Sequence, residues 1–146
     1  MPPGTHRTSA PARPASIETG WLSLHDLHRC ELLGDPQWVS DQESWVFPVR
    51  LRSDAPSEHI PEYSRWVVAV DPEYPAGSVE VYPAREDGLT ATFPHQRYNA
   101  PPSRSDAWRA GNLCLTTPWG DHRQGDGTPI EAERRLRWTL ARAREW

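Results

Sequence analysis

Lysine is absent from the 146-residue chain; all sixteen basic side chains are arginine. Codon usage in a GC-rich genome accounts for that bias, and it has one chemical corollary: no lysine-directed chemistry can act on this chain's own side chains. An excess of positive charge is lacking too, with a net charge of -4 and a pI near 5.8. Non-specific binding to nucleic acid or to an anionic membrane needs a basic surface, so neither partner is expected. A protein or a small molecule is. No apolar run reaches the roughly 18 to 20 residues that span a bilayer, and the first residues lack the apolar core of a secretory signal. Both features predict a cytoplasmic protein. Cysteine is scarce: Cys30 and Cys114 are the only two. In a reducing compartment structural disulfides are rare, so two free thiols are expected.

What is present fits one domain with one hydrophobic core. Residues 1–15, "MPPGTHRTSAPARPA", are rich in Pro, Ser and Thr and predict a disordered tail, leaving 16–146 as the folded unit. Ser16 then reads as a helix N-cap. Ile17, Trp21, Leu24, His28 and Leu32 recur at helical spacing until Gly34-Asp35-Pro36. The period next falls to two. Trp45, Phe47, Val49 and Leu51 alternate with Val46, Pro48, Arg50 and Arg52, and Trp66, Val68 and Val70 with Arg65, Val67 and Ala69. "SVEVY" at 78–82 and "TATF" at 90–93 complete a predicted four-stranded antiparallel meander.

From Pro94 to Pro118 periodicity disappears, and long irregular segments inside compact domains carry more than their share of chemistry. A last helix follows, with Ala132, Leu136, Thr139, Leu140, Ala143 and Trp146 on one stripe. Glu131 with Arg135 and Glu133 with Arg137 support it four residues apart. The pattern runs to the last residue without a cap. The fold class predicted is therefore α+β: N-terminal helix, meander, irregular segment, C-terminal helix.

Three groups of residues call for chemistry. His25, His28 and Cys30 in "HDLHRC" suggest a metal, but on a helix the two histidines lie about 60° apart and Cys30 points away from both. No metal site is expected there; His28 reads as a packed histidine and Cys30 as an ordinary thiol. Arg134, Arg135, Arg137, Arg142 and Arg144 form either a docking face or, with glutamates among them, a solvated one, and Trp138 projects from that polar side. Cys114 differs in its setting. "GNLCLTTP" lies in the irregular region with His95 and Asn99 upstream and His122 downstream. A thiol is nucleophilic enough to accept an acyl group without a full triad, although free cysteines are also common as small buried hydrophobes.

The order helix, meander, "EYP" at 73–75, irregular segment, "GNLCL" at 111–115 and helix resembles the ubiquitin-conjugating enzyme family. That family carries a Tyr-Pro turn, matched by Tyr74-Pro75, and a Gly-x-x-Cys-Leu active-site segment, matched from Gly111 to Leu115. The resemblance spans about 16–146 and is closest to a divergent bacterial branch linked to ubiquitin-like conjugation in antiphage defence. The family's His-Pro-Asn tripeptide is replaced here by "FPHQRYN", at 93–99.

The resemblance implies a thioester relay. An activating enzyme hands the C-terminal carboxyl group of a ubiquitin-like modifier to Cys114, and an amine on a target then attacks the thioester. No cofactor and no metal are called for. His95 and Asn99 are the candidates to assist Cys114, by stabilising the oxyanion or by holding the loop in shape. Asn112 and nearby backbone N–H groups are further donors. His122 with Asp121 is either a gate or base for the amine or part of a solvated turn. Two rival functions stand beside the relay: a catalytically inactive scaffold that binds a modifier or activating enzyme, and a cysteine hydrolase using Cys114 with His95 or His122 and Asn99.

Overall fold

Alternation of Trp45, Phe47, Val49 and Leu51 with less apolar neighbours builds the central strand of the structure, a computed structural model that describes residues 9–115 and 129–145. This strand, β3 (Ser44–Arg52), follows helix α1 (Ala15–Leu22), strands β1 (Cys30–Leu32) and β2 (Gln37–Val39), and a 3-10 turn at Ser40–Gln42. Strands β4 (Tyr63–Val70) and β5 (Val79–Pro83) and helix α2 (Ala132–Glu145) come after it. The class is α+β. All pairing in the five-stranded sheet is antiparallel, with β3, β4 and β5 forming a consecutive meander.

Both short strands pair with the same edge of β3, β1 opposite Val49–Leu51 and β2 opposite Ser44–Val46. The reason for the break between them is Pro48. Its carbonyl accepts the Leu33 N–H at 3.0 Å, so its missing donor faces that same edge, and the ladder cannot continue there. Gly34 passes directly over the proline ring; a Cβ there would lie 3.3 Å from Pro48 Cγ.

The helical spacing that predicts one helix through Leu32 is met only in part, because α1 stops at Leu22. Beyond it the chain winds through successive tight turns, with Leu24, His25, Leu27 and Cys30 each donating to the carbonyl three residues back. Arg29 adopts a left-handed φ of 61°, and Cys30–Leu32 then enters the sheet. Leu24 remains fully buried, so the apolar period outlasts the helix. Pairing with β3 outweighs helix propensity here. Nor does Ser16 cap the helix: Pro14 occupies the N-cap position, with no side-chain cap.

Residues 90–93 are not a strand, which corrects the four-stranded reading. Two carbonyls there are taken by side chains instead of a neighbouring strand: Asn99 Nδ2 donates to Ala91, and Arg109 to Thr90; Asn99 Nδ2 also donates to the adjacent Leu89.

One face of the sheet is the core. Phe47, Val49, Val68, Val70 and Val81 are fully buried and join Ile17 of α1 and Leu136 and Leu140 of α2 in a single cluster. Tyr74 links the layers, since its hydroxyl donates to the Ala132 carbonyl and accepts the Leu136 N–H at 3.2 Å. Gly20 makes room for it; a Cβ there would meet Tyr74 Oη at 2.8 Å and Leu136 Cδ1 at 2.9 Å. Burial pushes the Tyr74 phenol up to about 12.

Candidate active site

The free edge of β5 positions Cys114. Trp108 bridges Ala84, Arg109 N–H donates to the Pro83 carbonyl at 3.0 Å, and Leu113 N–H to the Val81 carbonyl at 3.0 Å. Outside this run lies a second, short antiparallel pairing of 95–97 with 112–114. Cys114 N–H donates to the His95 carbonyl at 2.8 Å, and Arg97 N–H to the Asn112 carbonyl at 3.0 Å, on either side of the Gln96–Leu113 bridge. Period-two geometry then sorts the side chains. Leu113 turns into the core, and its neighbours turn outward, leaving the Cys114 thiol free and exposed.

Close approach holds this arrangement. Gly111 lies against Asn99, where an added Cβ would come within 2.6 Å of the Asn99 Cβ. Gln96 accepts the Phe93 N–H and donates to the Gly111 carbonyl at 2.8 Å. Asn99 is itself buried, 3% exposed, and its amide is fully engaged: Nδ2 donates to Leu89 and Ala91, and Oδ1 accepts from Arg109 Nε at 2.9 Å. Arg109, 8% exposed, also donates to the Asn99 carbonyl at 3.1 Å.

Around the thiol is an open groove of about 260 Å³ lined by Val79, Glu80, Arg97, Asn112 and Leu115. Asn112 Nδ2 donates to Glu80 Oε2 at 2.8 Å, which fixes the amide beside the cysteine. Glu80 and Arg97 both act on Tyr82: burial raises its phenol, the Glu80 carboxylate adds to the rise and the Arg97 guanidinium opposes it. From α2, Arg142 Nε donates to the Leu115 carbonyl at 2.8 Å.

Of the residues singled out in the sequence, Cys114 and Asn112 share this groove. His95 is exposed, has a left-handed φ of 61°, and meets Cys114 through its carbonyl. Asn99 stands behind the loop. His122 and Asp121 lie outside the described residues, as do Thr116, Thr117, Pro118 and Trp146. The resemblance draws attention to His95 and Asn99 within "FPHQRYN" and passes over Arg97 between them. Glu80 was legible as a polar residue alternating within "SVEVY", but nothing in the sequence tied it to Cys114.

The other candidates settle differently from expectation. His28 is exposed and accepts a hydrogen bond from Arg29 Nε at 3.0 Å, instead of packing in the core. Cys30 belongs to β1, packs against the core, and burial pushes its thiol up to about 11, opposed by Arg144. Among the described residues no group of three His, Cys, Asp or Glu could hold a metal, and no helix is long and apolar enough to cross a membrane.

Four of the five α2 arginines reach to main-chain carbonyls of other segments, while Arg134 and Arg142 stay exposed, as expected of a solvated face. Arg135 donates to the Pro75 carbonyl, Arg137 to that of Ser23, Arg142 to that of Leu115 and Arg144 to that of His28. Glu131 pairs with Arg134 at 3.8 Å. Trp138 is half-buried beneath the Arg142 guanidinium, 4.9 Å from its ring centre.

No family model matches the chain. Over 111 residues, 74% of its length, it is 32% identical to the "ATP-dependent ubiquitin transferase-like protein Cap2" of Enterobacter hormaechei subsp. hoffmannii (strain UCI 50). The chain is thus related to a bacterial ubiquitin-transferase-like protein. It spans 18% of that protein's length.

Proposed function

We propose that this chain is a ubiquitin-conjugating-type domain that carries a bacterial ubiquitin-like modifier as a thioester on Cys114, received from an adenylating activating enzyme and passed to an amine on a target protein. The observation that supports this most is the exposed thiol held on a segment bracketed by main-chain bonds to His95 and Val81 and by Arg142. A cysteine kept only for packing has no need to face solvent. Similarity to a ubiquitin transferase-like protein is the second support. On this reading the chain works in the cytoplasm, within an antiphage conjugation system.

In this reading Asn99 holds the loop in shape, because both hydrogens of its amide are already committed to main-chain carbonyls. Asn112 is tied to Glu80 and orders the groove floor. His95 contributes its carbonyl.

The test mixes the chain with an activating enzyme, its modifier and ATP. An adduct that reducing agent removes should form, vanish in Cys114→Ala and survive in Cys30→Ala. Loss of the adduct in Cys30→Ala instead would overturn the assignment. An inert scaffold would bind modifier or enzyme and form no adduct.

A further inference from the structure

The geometry points to Arg97 as the residue that stabilises the oxyanion when a thioester on Cys114 is attacked, an inference that rests on the reading of Cys114 given above. Arg97 pairs across from Asn112 through its own N–H, and Asn112 and Cys114 are two apart on one short strand-like run. Arg97, Asn112 and Cys114 therefore face the same side. Directly opposite or diagonal neighbours on one face lie about 5 to 8 Å apart, within the span of an arginine side chain. The groove confirms the placement, since Arg97 and Cys114 both line it.

Elimination then favours Arg97 over its neighbours. Asn99 is buried and has no free donor, Asn112 Nδ2 is held toward Glu80 by one of its two hydrogens, and His95 is not among the residues that line the groove. The Cys114 N–H is used by the His95 carbonyl, and the Leu113 N–H by Val81. Arg97 is exposed, and its guanidinium donates no hydrogen bond among the described residues. It carries five N–H donors and a permanent charge, the properties that a developing oxyanion recruits.

The transfer needs only the thioester, the target amine and water. The lone pair of a neutral amine forms a C–N bond at the thioester carbonyl, and the C=O electron pair moves onto oxygen beside Arg97. Collapse of that intermediate re-forms C=O, breaks the C–S bond and expels the Cys114 sulfur as thiolate. The proton lost by nitrogen passes to water, leaving an amide. Arg97 holds negative charge that exists only in the tetrahedral stage, so it accelerates the transfer without tightening the resting thioester.

The experiment uses the full chain in a Cys30→Ala background and a fluorescent peptide α-thioester, which exchanges onto Cys114 by thiol exchange. Discharge to ethanolamine is then timed, with the same peptide on glutathione as the reference. The parent should discharge well above the reference rate. Arg97→Ala should fall about 10²- to 10³-fold toward it with an unchanged unfolding midpoint, and Arg97→Lys should recover part of the loss. Arg97→Ala discharging at the parent rate, while the parent exceeds the reference, overturns the role of Arg97 and leaves the relay standing. A parent no faster than the glutathione thioester overturns the relay reading, and this inference with it.

Discussion

Arg142 Nε and the Leu115 carbonyl are 2.8 Å apart, so the residue that follows the exposed Cys114 is tied to the last helix of the fold. The same guanidinium covers Trp138, which leaves it little freedom to wander. The helix thus positions the Cys114 segment from one side while His95 and Val81 hold it from the other.

Removing that tether should loosen the segment without unfolding the protein. In Arg142→Ala the Cys114 and Leu115 amides are expected to exchange hydrogen faster, with global stability changed by no more than about 1 kcal/mol because the bond is exposed. Residue-resolved hydrogen exchange checks this. Unchanged protection at both amides would show that α2 does not restrain the site.

Asn99→Ala should behave in the opposite way. It strips a buried network and leaves the Arg109 guanidinium without its Oδ1 partner, so a loss of about 2 to 3 kcal/mol in urea unfolding is expected. Were Asn99 the oxyanion donor, its loss would slow aminolysis at nearly constant stability.

Gly20→Ala is predicted to destabilise. In a solvated helix the change usually helps by about 0.5 to 1 kcal/mol. Here the new Cβ runs into Tyr74 Oη and Leu136 Cδ1, and overpacking of this kind costs about 1 to 3 kcal/mol. Chemical denaturation gives the sign directly.

Tyr74 also sets an alkaline limit. Its phenol ionises near 10 when unfolded and near 12 when folded, so the folded state retains the proton more tightly. Stability from this group is complete below about pH 10 and is lost as pH rises toward 12. Tyr74→Phe should be less stable at pH 8, through the lost bonds to Ala132 and Leu136, yet should lose less between pH 10 and 12. Parallel alkaline limbs in urea titrations of the two proteins would contradict it.

Much of the fold was legible because period-two alternation at 45–51, 66–70 and 79–82 meets a single buried face. The stripe of Leu136, Thr139, Leu140 and Ala143 likewise reads directly as the buried side of α2. What escaped was set by tertiary contacts. A three-residue strand at Cys30–Leu32 has too few positions to show a period, and Leu24 carries the helical spacing past the helix end. "TATF" alternates as a strand does, but its Thr90 and Ala91 carbonyls are taken by Arg109 and Asn99, whose reach no local pattern encodes. At the site, resemblance and setting single out Cys114. Its neighbours Glu80 and Arg97 came together only through the pairing of 112–114 with 95–97 and its docking on β5.

The two thiols give a chemical contrast. Cys114 is exposed, whereas the Cys30 thiol is packed against the core and raised to about 11, so it holds little thiolate at pH 8. Limited iodoacetamide followed by peptide mass spectrometry should find Cys114 modified first.

The central claim is most directly tested by replacing the acceptor sulfur with oxygen. With activating enzyme, modifier and ATP, the parent should form an adduct that thiol reductant removes, and Cys114→Ser should form one that resists reductant but yields to mild hydroxide, as an ester does. An adduct on the parent that resists reductant, or one that persists in Cys114→Ala, would contradict the account.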